Sequence, residues 1–165
     1  MKLQQQAEGY LELGMPQQAL DLLARLTESD EADAYTSLLQ GEAMRSLGKY
    51  CEALTPLGRV AAAEPENVHV WLALGWCYKR TGRLDQAIES LETALAVDPD
   101  DALVRYNLAC YCSLAGSKQR ALLYLEQALA LDPKYRRLVD AETDFDPLRS
   151  DPDFHAVLEG SRTRG

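Results

Sequence analysis

The sequence predicts an all-α chain of four helical hairpins closed by a short helical C-terminal cap. Three observations predict it. First, Gly14, Gly48, Gly82 and Gly116 stand 34 residues apart. Second, Ala19, Ala53, Ala87 and Ala121 keep that interval, as do Leu23, Leu57, Leu91 and Leu125, and Pro65, Pro99 and Pro133, with Glu31 where a first proline would stand. Third, apolar residues within a unit recur at i, i+3, i+4 and i+7, the spacing of one helical face. A period of this length marks stacked supersecondary units, each needing its neighbours to bury its apolar side.

The units run over about 1–33, 34–67, 68–101 and 102–135, with 136–165 left for capping helices and a tail. In the first, Ala7 and Tyr10 precede the turn at Gly14, and Ala19 and Leu23 follow it. In the second, Gly41 and Met44 take those places before Gly48, and Pro65 ends the unit. The third is the clearest. Trp71, Leu74, Gly75 and Tyr78 share one face, and Gly82 can take the positive φ that ends a helix. The run Leu84–Val97 then carries Ala87, Ile88, Leu91, Ala94 and Leu95 on its buried side. Pro99 stops it, because proline has no amide donor and disfavours helix in the preceding residue. The fourth unit repeats the plan with Ala109, Gly116, Ala121, Leu125 and Pro133. The small column Ala7, Gly41, Gly75 and Ala109 marks where two helices approach most closely.

Beyond Pro133 the period lapses. A short helix is expected over Lys134–Val139, and two helix starts at Asp146-Pro147 and Asp151-Pro152, with aspartate as N-cap and proline in the first turn. Phe145, Leu148, Phe154, Val157 and Leu158 are expected to cover the last apolar face, as a terminal repeat requires.

The run Trp71-Leu72-Ala73-Leu74-Gly75-Trp76-Cys77-Tyr78, followed by Gly82, Ala87, Leu91, Ala94 and Pro99, resembles the tetratricopeptide-repeat signature. The other units depart from it at Ser37, Gln40 and Cys112. The resemblance covers about residues 1–135 and implies a right-handed superhelical solenoid with the first helix of each hairpin on its concave side. The tail resembles the closing segment of many bacterial tetratricopeptide proteins, with an acidic Phe-Asp-Pro-Leu-Arg, Asp-Pro-x-Phe stretch. That likeness implies a bacterial source and names no activity.

Composition sets further bounds. At 165 residues the chain suits one domain, and 47% hydrophobic with 26% charged residues is too apolar for disorder. The net charge of −9, with Arg45, Lys79, Arg105 and Arg136 scattered among acids, argues against nucleic acid. No signal-like or membrane-length apolar run and no lipidation motif is present, so a cytoplasmic location without membrane insertion is expected. Cys51, Cys77, Cys110 and Cys112 form no C-x-x-C pair and read as reduced core residues. Cys110 and Cys112 fall on different helical faces and cannot chelate one ion together.

Chemistry is absent at this level. His69 and His155 have no Cys, Ser or Asp at a catalytic spacing, and the glycines mark hairpin turns and not a phosphate loop. No enzyme activity, cofactor or metal is expected. Function then falls to the surface, and the partner expected is a protein or peptide. One residue round from the core stripe of each first helix lies an inner stripe. It comprises Gln4, Glu8 and Leu11, then Tyr35, Leu38, Glu42 and Arg45. In the third unit it is His69, Leu72, Trp76 and Lys79, with Arg80 at the edge, and in the fourth Leu103, Tyr106, Cys110 and Ser113.

Trp76 stands out, since Trp71 and Tyr78 already fill the core positions and interface hot spots are rich in Trp, Tyr and Arg. The expected groove is therefore Tyr35, Leu38, Leu72, Trp76, Leu103 and Tyr106, partly open to solvent, rimmed by Glu42, Arg45, His69, Lys79 and Arg80. The family's clamp for acidic chaperone tails needs Lys, Asn and Arg where this chain has Gln4, Glu8, Glu42, His69 and Ala73, or Leu38, Glu42, Trp76, Leu103 and Asn107. It is not expected here. Self-association as a structural scaffold is the alternative function. A secretion chaperone fits in size, repeat number and acidity, but the closing segment argues against it.

Overall fold

The computed structural model describes residues 2–27 and 33–162, and among these every regular element is helical. The helices are α1 (Lys2–Glu12), α2 (Pro16–Thr27), α3 (Ala34–Ser46), α4 (Tyr50–Ala63), α5 (Val68–Arg80), α6 (Leu84–Val97), α7 (Ala102–Leu114) and α8 (Lys118–Leu131). After a 3₁₀ turn at Pro133–Tyr135 come α9 (Arg136–Val139), a second 3₁₀ turn at Thr143–Leu148, and α10 (Pro152–Arg162). The place of Glu31 in the repeat lies outside the described residues.

The four periodic glycines are the described residues with positive φ, at 70°, 72°, 76° and 77°. Each ends its helix in the same way. Arg83 N–H donates to Tyr78 C=O at 2.8 Å and Gly82 N–H to Lys79 C=O at 3.1 Å. This pair of bonds satisfies carbonyls that a helix end otherwise leaves open, and it requires the left-handed residue that glycine supplies without strain. Met15, Lys49 and Ser117 make the equivalent of the Arg83 bond, to Tyr10, Met44 and Cys112, at 2.8–2.9 Å.

The helix starts are also periodic. Asp33, Asn67 and Asp101 accept from the N–H of Thr36, Val70 and Val104 at 2.7, 3.3 and 3.0 Å. These side-chain caps satisfy amide donors of the first turn. The signature tryptophan position has its own local bond. Trp71 Nε1 donates to the Pro65 carbonyl at 2.9 Å, and Arg105, its counterpart in the fourth unit, donates through Nε to the Pro99 carbonyl at 3.1 Å. Ser37, in the same column, is too short for that role; its buried hydroxyl makes no hydrogen bond.

The chain forms two compact units, one ending at Arg83 and one beginning at Leu84, in the turn between α5 and α6. In the first unit, Ala7, Ala19, Leu23, Leu39 and Ala43 make one core cluster across α1, α2 and α3. Ala53, Leu57, Val60 and Ala61 of α4 make another with Val70, Ala73, Leu74 and Cys77 of α5, flanked by Trp71 and Tyr78. Gly75 is buried, as is Ala87 in the second unit. Pro56 lies inside α4 and is buried, a residue the helical pattern alone disfavours because it removes one backbone donor.

In the second unit α7 packs against α8, the Thr143–Leu148 turn packs on α7, and α10 packs on α8. Phe145, Phe154, Leu148 and Leu158 are buried in this closing layer, and Val157 is half-buried. Lys118 fastens α10, pairing with Asp151 and Asp153 at 2.7 Å each. The start at Asp151-Pro152 is observed, with Asp151 accepting from Asp153 N–H at 2.9 Å. The start expected at Asp146-Pro147 is not. Those residues sit inside the 3₁₀ turn that Glu142 caps. Side chains three apart are eclipsed in a 3₁₀ helix, so Phe145 and Leu148 both turn toward the core from that short segment. Cys51 also departs from expectation. It is exposed, because it lies about 200° round α4 from the buried Ala53.

Candidate protein-binding surface

Polar residues of the inner stripe link neighbouring first helices within the first unit. Gln4 Nε2 donates to Thr36 Oγ1 at 2.8 Å and to both carboxylate oxygens of Asp33 at 3.0 Å. Tyr35 bonds through its hydroxyl to Glu8, and that bond, with some burial and the acid's charge, pushes the phenol's pKa up. Glu42 bridges α3 and α5, meeting Arg45 and His69 Nε2 at 3.2 Å each. The stripe is thus a ladder of polar contacts, with Tyr35 39% exposed on it.

At the end of α5 the character changes. Trp76 is 39% exposed. Lys79 Nζ stands 5.4 Å from its ring centre and the Arg80 guanidinium 5.8 Å, within cation–π range. Arg80 also covers the ring of Tyr50 on α4 at 5.0 Å. The guanidinium therefore touches two aromatic rings, while its N–H edge can still donate to a planar acceptor. Leu72 is half-buried nearby on α5, whereas Leu38 packs against the α4–α5 core. Tyr50 is the member that the first-helix stripe could not include, since it belongs to the second helix of its hairpin.

The fourth-unit stripe is divided. Leu103 is 43% exposed, but Tyr106 is only 5% exposed, contrary to the expected open position. The cause is the closing layer: Tyr135 stacks on Tyr106 with centroids 5.0 Å apart, and Phe145 meets it edge-on at 5.8 Å. Cys110 and Ser113, one and two turns further along, are buried as well. Burial also raises the Cys77 thiol to about 11 and pushes the Cys112 thiol up, so both stay protonated at neutral pH. Among the described residues, Cys110, Glu142 and Asp144 have ligand atoms close enough together to hold a metal ion.

Repeated pairs of helices with a common side-chain cap and a common glycine turn define a helical-repeat protein. Tetratricopeptide-repeat models match residues 5–64, 44–109 and 102–135, each described as Tetratricopeptide repeat. The chain belongs to the tetratricopeptide-repeat family and is a protein-interaction module. No curated protein matches it significantly in sequence. Among solved structures, a crystal structure of MamA aligns over 96% of this chain and 95% of its own, at 17% identity and a TM-score of 0.76. MamA MSR-1 C2 is 28% identical over 78% of this chain and 74% of its own, with a TM-score of 0.72. YrrB, described as a TPR protein with an unusual peptide-binding site, is 20% identical over 82% of this chain and 70% of its own, with a TM-score of 0.76. Among the described residues, no helix is long and apolar enough to cross a membrane.

Proposed function

We propose that the surface around Trp76 binds a segment of another protein that carries an apolar side chain beside an acidic one. The observation that carries this reading is the cluster of Trp76, Lys79, Arg80 and Tyr50. An exposed indole offers apolar area at low entropic cost, and a guanidinium held by two rings is preorganised to take a carboxylate. Apolar burial supplies most of the affinity, and the cations fix orientation and speed encounter. Tyr35 and the Glu42–His69 pair lie along the same first-helix stripe and form the polar part of the path. The peptide-binding site of YrrB is a precedent within this fold for such use.

Selection of peptides on the purified chain supplies the ligand, and Trp76→Ala supplies the test. Its loss should cost on the order of 2 kcal/mol, about thirtyfold in Kd, as for a hot-spot residue. The helical spectrum should be unchanged, because Trp76 lies outside the core clusters. Peptides that bind the Trp76→Ala chain as tightly as the native one would place the site elsewhere. If the chain instead associates with itself, sedimentation will depend on concentration, and Trp76→Ala will report whether this surface is the contact.

A further inference from the structure

We propose that Cys110, Glu142 and Asp144 form a binding site for a divalent ion of the zinc class, which would staple the closing segment onto α7. Cys110 comes from α7 and the two carboxylates from the start of the Thr143–Leu148 turn, about thirty residues on, yet one ligand atom from each lies within 4.8 Å of the others. Around a tetrahedral ion with bonds of about 2.0–2.3 Å, ligand atoms stand about 3.5 Å apart, so small rotamer adjustments would supply three of the four positions and a water the fourth. A thiolate with two carboxylates is a mixed soft and hard set, suited to zinc and poorly suited to magnesium or calcium.

An independent observation also points to a ligand at this place. The hydroxyl of Tyr106 is buried and makes no hydrogen bond of ordinary geometry, although its side chain is only 5% exposed. Tyr106 lies one helical turn before Cys110 on α7, and its polar neighbours are the Cys110 thiol, Glu142 and Asp144. A buried hydroxyl left with only a thiol, a weak acceptor, is poorly satisfied, and a ligating carboxylate or a metal-bound water would satisfy it better. The supporting turn is already fixed. Glu142 Oε1 accepts from Asp144 N–H at 3.1 Å, and Arg149 Nη2 donates to the carbonyls of Glu142 and Val139 at 2.6 and 2.7 Å. Both carboxylates are thus presented to α7 before any ion arrives.

The test uses the full untagged chain with reduced thiols, in a Cys51→Ser background that removes the exposed cysteine. Zinc is titrated calorimetrically, and cobalt(II) serves as a spectroscopic substitute. The expected result is one ion per chain, a thiolate-to-cobalt charge-transfer band, and a higher melting temperature with zinc, since an ion that binds only the folded state stabilises it. Cys110→Ser should abolish the charge-transfer band, and Asp144→Asn should weaken zinc by more than about tenfold. Glu142→Gln, at a half-exposed position, guards against variants that simply misfold; it should keep the native circular dichroism and lose the zinc-dependent rise in melting temperature. No heat of zinc binding, or a cobalt spectrum unchanged by Cys110→Ser, would overturn the proposal and leave the thiol as a buried core residue.

Discussion

A methyl group added at Gly41 should destabilise the protein, while the same change at Gly58 should stabilise it. Both glycines lie inside helices, α3 and α4, where alanine is favoured over glycine by about 1 kcal/mol. At Gly41 a Cβ would stand 2.5 Å from Leu57 Cδ2 and 2.6 Å from its Cγ. Carbon atoms prefer about 3.5–4.0 Å, so roughly 1 Å must be found. Leu57 is fully buried in the facing helix and cannot swing into solvent. Overpacking of this kind costs about 1–3 kcal/mol, which leaves Gly41→Ala destabilised by up to about 2 kcal/mol after the helical gain, toward the upper end because Leu57 has no room to give. At Gly58 nothing lies within 4 Å of the added carbon, so the helical gain of about 0.5–1 kcal/mol stands alone. Urea and thermal unfolding followed by circular dichroism should give shifts of opposite sign, about 2–4 °C per kcal/mol in a chain of this size. Leu57→Ala should cost about 2–5 kcal/mol in the native chain, and less in the Gly41→Ala background, where the new methyl fills part of the cavity. A Gly41→Ala protein that melts at or above the native temperature would refute the packing of α3 on α4.

Gly82→Ala places a Cβ in the left-handed region at φ 76° and should cost about 1–2 kcal/mol, with Gly82→Asn milder, read by the same melts. Asp33 has its carboxyl held below the usual range, first by the Thr36 amide, then by the Thr36 hydroxyl and Gln4. A depressed native pKa means stability present at neutral pH and lost as pH falls from the ordinary carboxylate value down through the lowered native one. Asp33→Asn, which still caps α3, should therefore differ little from the native chain once the pH is below the lowered native value, and Asp33→Ala should cost about 1 kcal/mol at neutral pH in a denaturant titration. Phe145→Ala should cost about 3–5 kcal/mol, because the ring is fully buried over Tyr106. Tyrosine fluorescence quenching in that variant should show Tyr106 newly accessible.

The repeat was legible because its causes are local and recur every 34 residues. A glycine that must be left-handed, a proline that ends a helix and a leucine on the apolar face act through their own turn of backbone. They give the same answer in each copy. Trp76 was legible for a related reason: helical periodicity fixes its azimuth on α5, and the core positions were already taken. What lies opposite a residue is a different matter. Periodicity placed Tyr106, Cys110 and Ser113 on the inner stripe, but all three are buried, Tyr106 because the closing layer lays Tyr135 and Phe145 on it. The contact of Arg80 with Tyr50 and the meeting of Cys110 with Glu142 and Asp144 join residues about 30 positions apart, from different repeats in the first case and from a repeat and the tail in the second. Such pairings depend on how helices and turns pack, and a one-dimensional period carries no record of them. The sequence determined the units and their faces; the tertiary packing decided which faces remain open for a partner.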